Sequence, residues 1–362
     1  MWGLRSAVSV RRVGVAAKRV TSQDVARRAG VSRTTVSFVL NNVAGMQISA
    51  ETRRRVLEAA NELGYVPDAA AQALASGRSM TIGLLLARRS RLIGSDMFLL
   101  QIIETLLREV ACCGMRLLLE VSEDYENSES YLKLVRSNSI DGVLYSGPRF
   151  NDAALQAMVE QGVPTVLMGA LPDSPYYCVD IDNRAAARQA VAHLVRLGHR
   201  RIACITNAPP SYAASQARLQ GYQDVLQEAG IPFDRSLVRY GHFNSESGYE
   251  QMKNLIEEQN EFSAVFAASD VVAFGAMMAL REAGMRIPED VAMVGFDDVP
   301  LARFVDPPLT SVHLPVDDLA HHASQMLIQL VNAVTPPQRQ VILETHLVVR
   351  KSCGAARLSF NG

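Results

Sequence analysis

The pattern of apolar and polar positions changes once along this 362-residue chain, near Thr81. Before that point apolar residues recur at helical spacing in three short segments. The first runs from Gln23 to Ala29 behind Thr21 and Ser22 as capping residues, gathers Val25, Ala26 and Ala29 on one face, and stops at Gly30. The second starts at Ser32 and extends to Asn41, with Val36, Val39 and Leu40 inward and Arg33, Thr34, Ser37 and Phe38 on the opposite side. The third begins after Ser49 and is expected to bury Val56, Leu57, Ala60 and Leu63. Helix, short glycine-containing turn, helix is the layout of a helix-turn-helix.

The stretch PDAAAQALASGR (Pro67 to Arg78) reads as a short helix with proline at its start and Gly77 as its stop. Roughly eight helical residues are too few to be stable alone in water, so this segment should fold only against something else. From Thr81 the period switches to short apolar runs: TIGLLLA, MRLLLEV, DGVLYSG, PTVLMG, RIACIT, SAVFAAS and VAMVGF. Amphipathic segments separate them, such as Asn183 to Leu197 before Gly198 and Val271 to Ala283 before Gly284. Continuous apolar strands alternating with helices imply parallel sheets covered on both faces. About 280 residues of this pattern call for two doubly wound subdomains rather than one.

Charge sharpens the division. The formal net charge is −1, yet residues 1–78 hold twelve Lys/Arg against five acids, a net +7 that leaves −8 for the remainder. A basic small part joined to an acidic large one points to a polyanion partner for the first part only. The five cysteines form no CxxC pair and have no histidine at metal spacing, so neither zinc nor a disulfide framework is indicated, and they read as thiols of a cytosolic protein. No apolar run approaches the ~18 residues of a membrane span. Residues 1–19 are basic and free of acids, and read as a disordered tail.

The Ser32–Asn41 helix is poor in charge and rich in hydroxyls, which suits a surface that must approach base edges closely in a major groove. In open parallel sheets the ligand lies beyond the carboxyl ends of the strands. Those ends offer Ser269 and Asp270 after AVFAA, and Asp297 and Asp298 after AMVGF, where carboxylates can accept hydrogen bonds from ligand hydroxyls. Asp270 could equally cap the helix that follows it. No GxSxG, GxGxxG or phosphate-binding loop occurs and no nucleophile adjoins a histidine, so no enzyme, cofactor or metal site is expected. His193 and His199 read as capping or packing residues.

Six motifs in order, VTSQDVARRAGVSRTTVSFVLNN, ETRRRVLEAANELGYVPDAAAQALASGRSMTIGLLL, HLVRLGHRRIACI, ARLQGYQDVL, ASDVVAFGAMMALREAGMRIPEDVAMVGFDDVP and PPLTSVHLP, together resemble the lactose-repressor/galactose-repressor family of bacterial transcription regulators over residues 20–353. The resemblance implies a multidomain chain: an all-α helix-turn-helix domain over 20–66, a hinge helix and linker over 67–79, and an α/β core like periplasmic binding proteins. Within the core, one subdomain is expected to span 80–181 with 313–340 and the other 182–312 with 341–353, leaving 354–362 as a tail. It further implies a cytoplasmic, nucleoid-associated homodimer on a near-palindromic double-stranded operator, usually repressing, with affinity set by a sugar, sugar phosphate or nucleoside. The chain stops soon after LVVRKSC without leucine heptads, which favours a dimer over a tetramer.

Residue by residue, Arg33 and Thr34 match the positions that meet base edges, and an arginine bidentate on guanine gives ~1–3 kcal/mol of discrimination. Thr21, Ser32, Thr35 and Ser37 match positions for phosphate contact or capping, which position without specifying. Phe38 departs from the family, which usually has arginine there; an aromatic ring can instead pack on a thymine methyl. Leu74 matches the hinge leucine that wedges into the minor groove. In the core, Asp297, Arg218 and Phe243 match effector-binding residues, with Phe98 corresponding less closely, and Gly169 stands where the lactose repressor has an acidic sugar contact. A solute-binding protein of periplasmic type is the alternative that would account for the core but not for residues 20–66.

Overall fold

The computed structural model describes residues 20–41, 46–66, 73, 77–86, 93–121, 133–134, 136–137 and 139–355. Contacts divide the chain into two compact units, Met1–Ser79 and Met80–Gly362. The expected tail at 1–19, Leu74 and most of the expected hinge helix lie outside the described residues.

In the first unit, α1 (Ser22–Ala29) begins with a capping box: Asp24 N donates to Thr21 Oγ1 at 3.3 Å, and Thr21 N donates to the Asp24 carboxylate at 3.0 Å. Gly30 closes the helix at φ 64°, a left-handed value that glycine adopts without a Cβ clash. Helix α2 (Arg33–Leu40) is capped by Ser32, whose hydroxyl accepts from Thr35 N, and α3 (Ala50–Glu62) by Ser49 in the same way. Val25, Ala26, Ala29, Val36, Val39, Val56, Ala59 and Ala60 form the core between them. Leu57, expected inside, is 48% exposed. One residue turns a helix by about 100°, so the face carrying Val56, Ala59, Ala60 and Leu63 leaves Leu57 toward solvent.

The second unit holds two six-stranded sheets. The first runs β11–β5–β4–β3–β1–β2, with β1 Thr81–Leu86, β2 Arg116–Val121, β3 Gly142–Ser146, β4 Thr165–Met168, β5 Tyr177–Ile181 and β11 Gln340–Leu343, all pairs parallel. The second runs β12–β10–β9–β8–β6–β7, with β6 Ile202–Thr206, β7 Val238–Tyr240, β8 Ala264–Ala267, β9 Ala292–Asp297, β10 Thr310–His313 and β12 His346–Val348; only β12 on β10 is antiparallel. Helices α4 (Met97–Cys112), α5 (Ala153–Glu160) and α10 (Val316–Val331) cover the first sheet. Helices α6 (Asn183–Arg196), α7 (Ala213–Glu228), α8 (Ser245–Glu257) and α9 (Asp270–Glu282) cover the second.

The chain passes between the sheets three times, after Ile181, after His313 and after Leu343. The expected last crossing at 340/341 therefore moves, because β11 pairs in parallel with β5 over Gln340–Leu343. His313 likewise closes β10 in the second sheet rather than opening the first subdomain's return. QVILETHLVV carries no break that marks a change of sheet, and only the pairing distinguishes its two edge strands.

Helices α8 and α9 touch through glycines. A Cβ at Gly275 would lie 1.7 Å from the Ser245 carbonyl oxygen, and one at Gly248 2.0 Å from that of Val272. In an exposed helix, glycine to alanine gains ~1 kcal/mol; here the added carbon has only backbone to push against. Gly275→Ala should therefore destabilise the core by ~1–3 kcal/mol, read as a lower urea midpoint by circular dichroism. A neutral or stabilising substitution would contradict this packing.

Candidate functional site

Two surfaces carry the expected chemistry, one in each unit. On α2, Ser32, Arg33 and Thr34 are exposed while Thr35, Ser37 and Phe38 are half-buried. The Arg33 side chain is braced by its Nε, which donates to Ser22 Oγ at 3.0 Å, and its two terminal nitrogens hold no hydrogen bond among the described residues. Other arginines of this unit are engaged: Arg54 binds Glu51 and Glu58 along α3, and Arg28 pairs with Glu62 at 2.7 Å. Thr21 and Ser32 serve as helix caps, Ser32 Oγ lies 2.9 Å from Thr35 Oγ1, and Ser37 Oγ accepts from Asn41 Nδ2 at 3.2 Å.

In the second unit the carboxyl ends of strands from both sheets meet around one cavity. Ser146, Gly147 and Pro148 end β3, Met168 and Gly169 end β4, and Asp180 and Ile181 end β5; facing them are Asn207 after β6, Ser269 after β8 and Asp297 at the end of β9. The space between atoms is about 840 Å³, open mouth included. Phe98, Arg218, Phe243, Ser269 and Asp297 all line it.

Asp270 does not. It is wholly buried behind the cavity wall, where its carboxylate accepts from Ser311 Oγ at 2.6 Å and from Val299 N at 2.9 Å, fastening the loop after β9 to β10. The neighbouring Gly295 makes room for it, since a Cβ there would lie 2.2 Å from Asp270 Oδ1. Nor does Asp270 cap α9 as an N-cap residue; it is the first residue of that helix.

Arg218 stands at the centre, on the second turn of α7 and 7% exposed. Nε donates to Asn183 Oδ1 at 2.8 Å, Nη1 donates to the Ala268 carbonyl at 2.7 Å, and Nη1 lies 3.6 Å from Asp297 Oδ1. Its guanidinium carbon sits 3.7 Å from the centre of the Phe296 ring. Burial weakens its hold on a proton, while Asp297, Asp180 and Asp96 oppose that loss. Burial raises the Asp297 carboxyl to about 7, with Arg218 pulling it down and Asp96 pushing it further up. Burial also lifts Asp180 to about 6 against the hydrogen bonds it accepts from the Ala170 and Ile181 amides and from Asn183. Asp297 holds φ 108° and Phe243 φ 59°, left-handed values that residues with side chains keep only where the surroundings impose them.

Aromatic rings close one side. Tyr212 meets Phe243 edge-on with centroids 5.0 Å apart. Beside it the two subdomains are laced through backbone: Phe150 N donates to Ser211 O at 3.0 Å, Ala213 N donates to Pro148 O at 3.3 Å, and Arg149 bridges Tyr212 as an antiparallel pair. Gly169, at φ 115°, has no room for a side chain, as a Cβ would fall 2.8 Å from Pro148 Cδ. The acid on that wall is Asp180.

Sequence reasoning missed Asp96, Asp180, Asn183, Asn207 and Tyr212, all of which line the cavity. Asn207 follows a strand end just as Ser269 does, so the same rule could have found it. Its Oδ1 is buried and has no hydrogen-bond partner among the described residues, an acceptor suited to a ligand hydroxyl. Asp96 caps α4 by accepting from Leu99 N, and nothing in the local sequence separates that role from a cavity position. Among the described residues no cluster of His, Cys, Asp and Glu could hold a metal ion, and no helix is long and apolar enough to cross a membrane.

Comparison with known proteins bears on both units. Residues 21–68 match the bacterial regulatory proteins of the lacI family, and residues 191–353 match the periplasmic binding protein-like domain. The transcriptional regulator CelR of Thermobifida fusca is 36% identical over 338 residues, 92% of this chain and 98% of that protein. A solved CelR–cellobiose complex superposes with a TM-score of 0.71 at 36% identity, covering 92% of this chain and 100% of that one. The lac repressor dimer bound to operator and the anti-inducer ONPF gives a TM-score of 0.81 at 28% identity, covering 93% and 99%. A solute-binding protein without a regulatory role would have no use for the helix-turn-helix unit. The chain belongs to the lacI family of bacterial regulatory proteins, which bind DNA through that unit and control transcription.

Proposed function

We propose that this regulator is a cytoplasmic, nucleoid-associated repressor that binds a near-palindromic operator as a homodimer and is controlled by a sugar or nucleoside held between its core subdomains, without catalytic turnover. The single observation that carries the effector reading is the convergence of buried Arg218, Asp297 and unpartnered Asn207 Oδ1 with the Tyr212–Phe243 ring pair in one cavity. Polar groups fixed in place beside aromatic faces are what a polyhydroxylated ligand requires. The CelR–cellobiose complex supports a carbohydrate in particular. At the DNA, Arg33 and Thr34 read bases, Thr21, Ser32, Thr35 and Ser37 position the backbone, Phe38 packs on a methyl group, and Leu74 wedges into the minor groove.

The effector acts by preferring one cleft conformation, and its sign on DNA binding follows from which conformation the operator also prefers. A thermal-shift screen with sugars and nucleosides tests the site, because a ligand at ~100 times its dissociation constant stabilises by ~2.7 kcal/mol. Arg218→Met should abolish that shift and the effector's influence on operator affinity, while operator binding without effector persists. A variant that still responds would remove Arg218 from the site. Arg33→Ala, measured by fluorescence anisotropy on operator variants, should lose ~1–3 kcal/mol of discrimination at one base pair per half-site. Uniform weakening at all positions would instead make Arg33 a phosphate contact.

A further inference from the structure

The second sheet carries another groove, at the end opposite the cleft. The cleft gathers carboxyl ends of strands, with Asn207 after β6; this groove gathers amino ends, with Ile202 at the start of β6 and Leu237 just before β7. At ~3.3 Å per residue, the length of β6 puts roughly 17 Å between the two. The groove holds about 1400 Å³, open mouth included. Its floor is apolar: Ile202, Leu226, Ile231 and Leu237 are buried, as is Tyr222, whose hydroxyl donates to the Ile202 carbonyl at 2.7 Å and ties α7 to the strand. Gly230 follows α7 at φ 63° and Ile231 N donates back to Leu226 O at 2.8 Å, a turn that delivers Pro232 and Phe233 to the rim. Phe233 is 46% exposed and meets Tyr222 edge-on, with centroids 6.4 Å apart.

The rim is basic where the body is acidic. Residues 183–239 hold eight arginines and no lysine against Asp224, Glu228 and Asp234, a net +5 inside a core that totals −8. Arg184 pairs with Asp224, Arg188 with Glu228 and Arg239 with Glu258. Arg200, Arg201 and Arg235 are all exposed and line the groove, where Asp234 is the one acid. Arg200 Nη1 donates to the Ala229 carbonyl at 3.4 Å, and the Arg235 side chain holds no hydrogen bond or ion pair among the described residues. Arg201 is anchored by Nε on the Glu261 carbonyl at 2.6 Å, with Nη2 3.4 Å from Asp234. Asp234 turns its other oxygen to Ser236 N and Oγ. Three arginines against one aspartate leave the lining at a net +2.

We propose that this groove docks an acidic segment of a partner protein, its carboxylates on Arg200, Arg201 and Arg235 and an apolar side chain against Phe233 and the floor. A guanidinium is weakly hydrated and forks onto a carboxylate with two hydrogen bonds, and arginines beside aromatic rings are what anchors protein interfaces. A positive groove on a negative body also orients the partner as it approaches, because the rest of the core repels the same acids. A nucleic acid carries its charge past the groove onto that negative core, whereas a short acidic segment does not. No lining residue is shared with the cleft, so a partner here and an effector there compete for no side chain.

The test uses the full chain and a short fluorescein-labelled peptide in which pairs of glutamate alternate with phenylalanine, read by anisotropy. The peptide should bind, and less tightly as salt rises from about 50 to about 300 mM. Arg235→Glu should weaken it roughly tenfold or more and leave the circular-dichroism melt unchanged, since that side chain has no partner to lose. Phe233→Ser should weaken it as well, and a peptide with lysine in place of glutamate should not bind. A glutamate peptide that fails to bind, or that binds wild type and Arg235→Glu equally, overturns the proposal. Displacement of the peptide by random-sequence duplex DNA puts it on the helix-turn-helix unit and overturns it too. Sedimentation of wild type and Arg235→Glu at one concentration should give the same mass; a smaller assembly in the variant makes a second copy of the chain the occupant and overturns the acidic partner.

Discussion

Burying one arginine organises the core. The Arg218 guanidinium is out of water, a costly state that persists only because every neighbour compensates: Asn183 from the first crossover, the Ala268 carbonyl after β8, Asp297 at the end of β9 and the Phe296 face. These partners come from three separate segments, since Phe296 and Asp297 are neighbours on β9. Fixing the arginine therefore fixes the carboxyl ends of the second sheet and the first passage of chain between sheets at one point. Removing it would leave Asp297 buried without the one cationic partner that it has among the described residues.

That dependence explains what could be read from the sequence. Runs such as TIGLLL and AMVGF are apolar on both faces, so they declare buried parallel strands, and Asp297 at the end of one declares a ligand position. Asp270 fits the same rule and fails it, because a carboxylate one residue into a helix can turn back to Ser311 and Val299 as easily as forward. The difference lies in Gly295 on the next strand, which no local pattern connects to it. Edge strands β11 and β12 were illegible for another reason. Their half-exposed residues carry neither strict alternation nor a full apolar run, and a two-residue link hides the change of sheet.

The DNA-reading unit was more legible because its signals are local. Thr21, Ser32 and Ser49 each sit where a side-chain oxygen can take up free amides, and each does so. Leu57 was misplaced by one position in a helix whose buried residues are Val56 and two alanines, Ala59 and Ala60. The arginines could not be ranked from sequence at all. Arg54 and Arg28 are absorbed by acids of their own unit, whereas Arg33 is braced by a serine and its terminal nitrogens hold no hydrogen bond among the described residues.

Segment 67–79 joins that unit to the core in the chain, and the proposed function makes cleft and operator parts of one equilibrium. Such coupling is reciprocal by thermodynamic necessity. The most direct measurement is therefore a closed cycle: operator affinity with and without saturating effector, and effector affinity with and without saturating operator. The account predicts the same factor on both sides, of the order of 5–150-fold for an ordinary coupling of ~1–3 kcal/mol. An effector that binds in the cleft yet leaves operator affinity unchanged would contradict it.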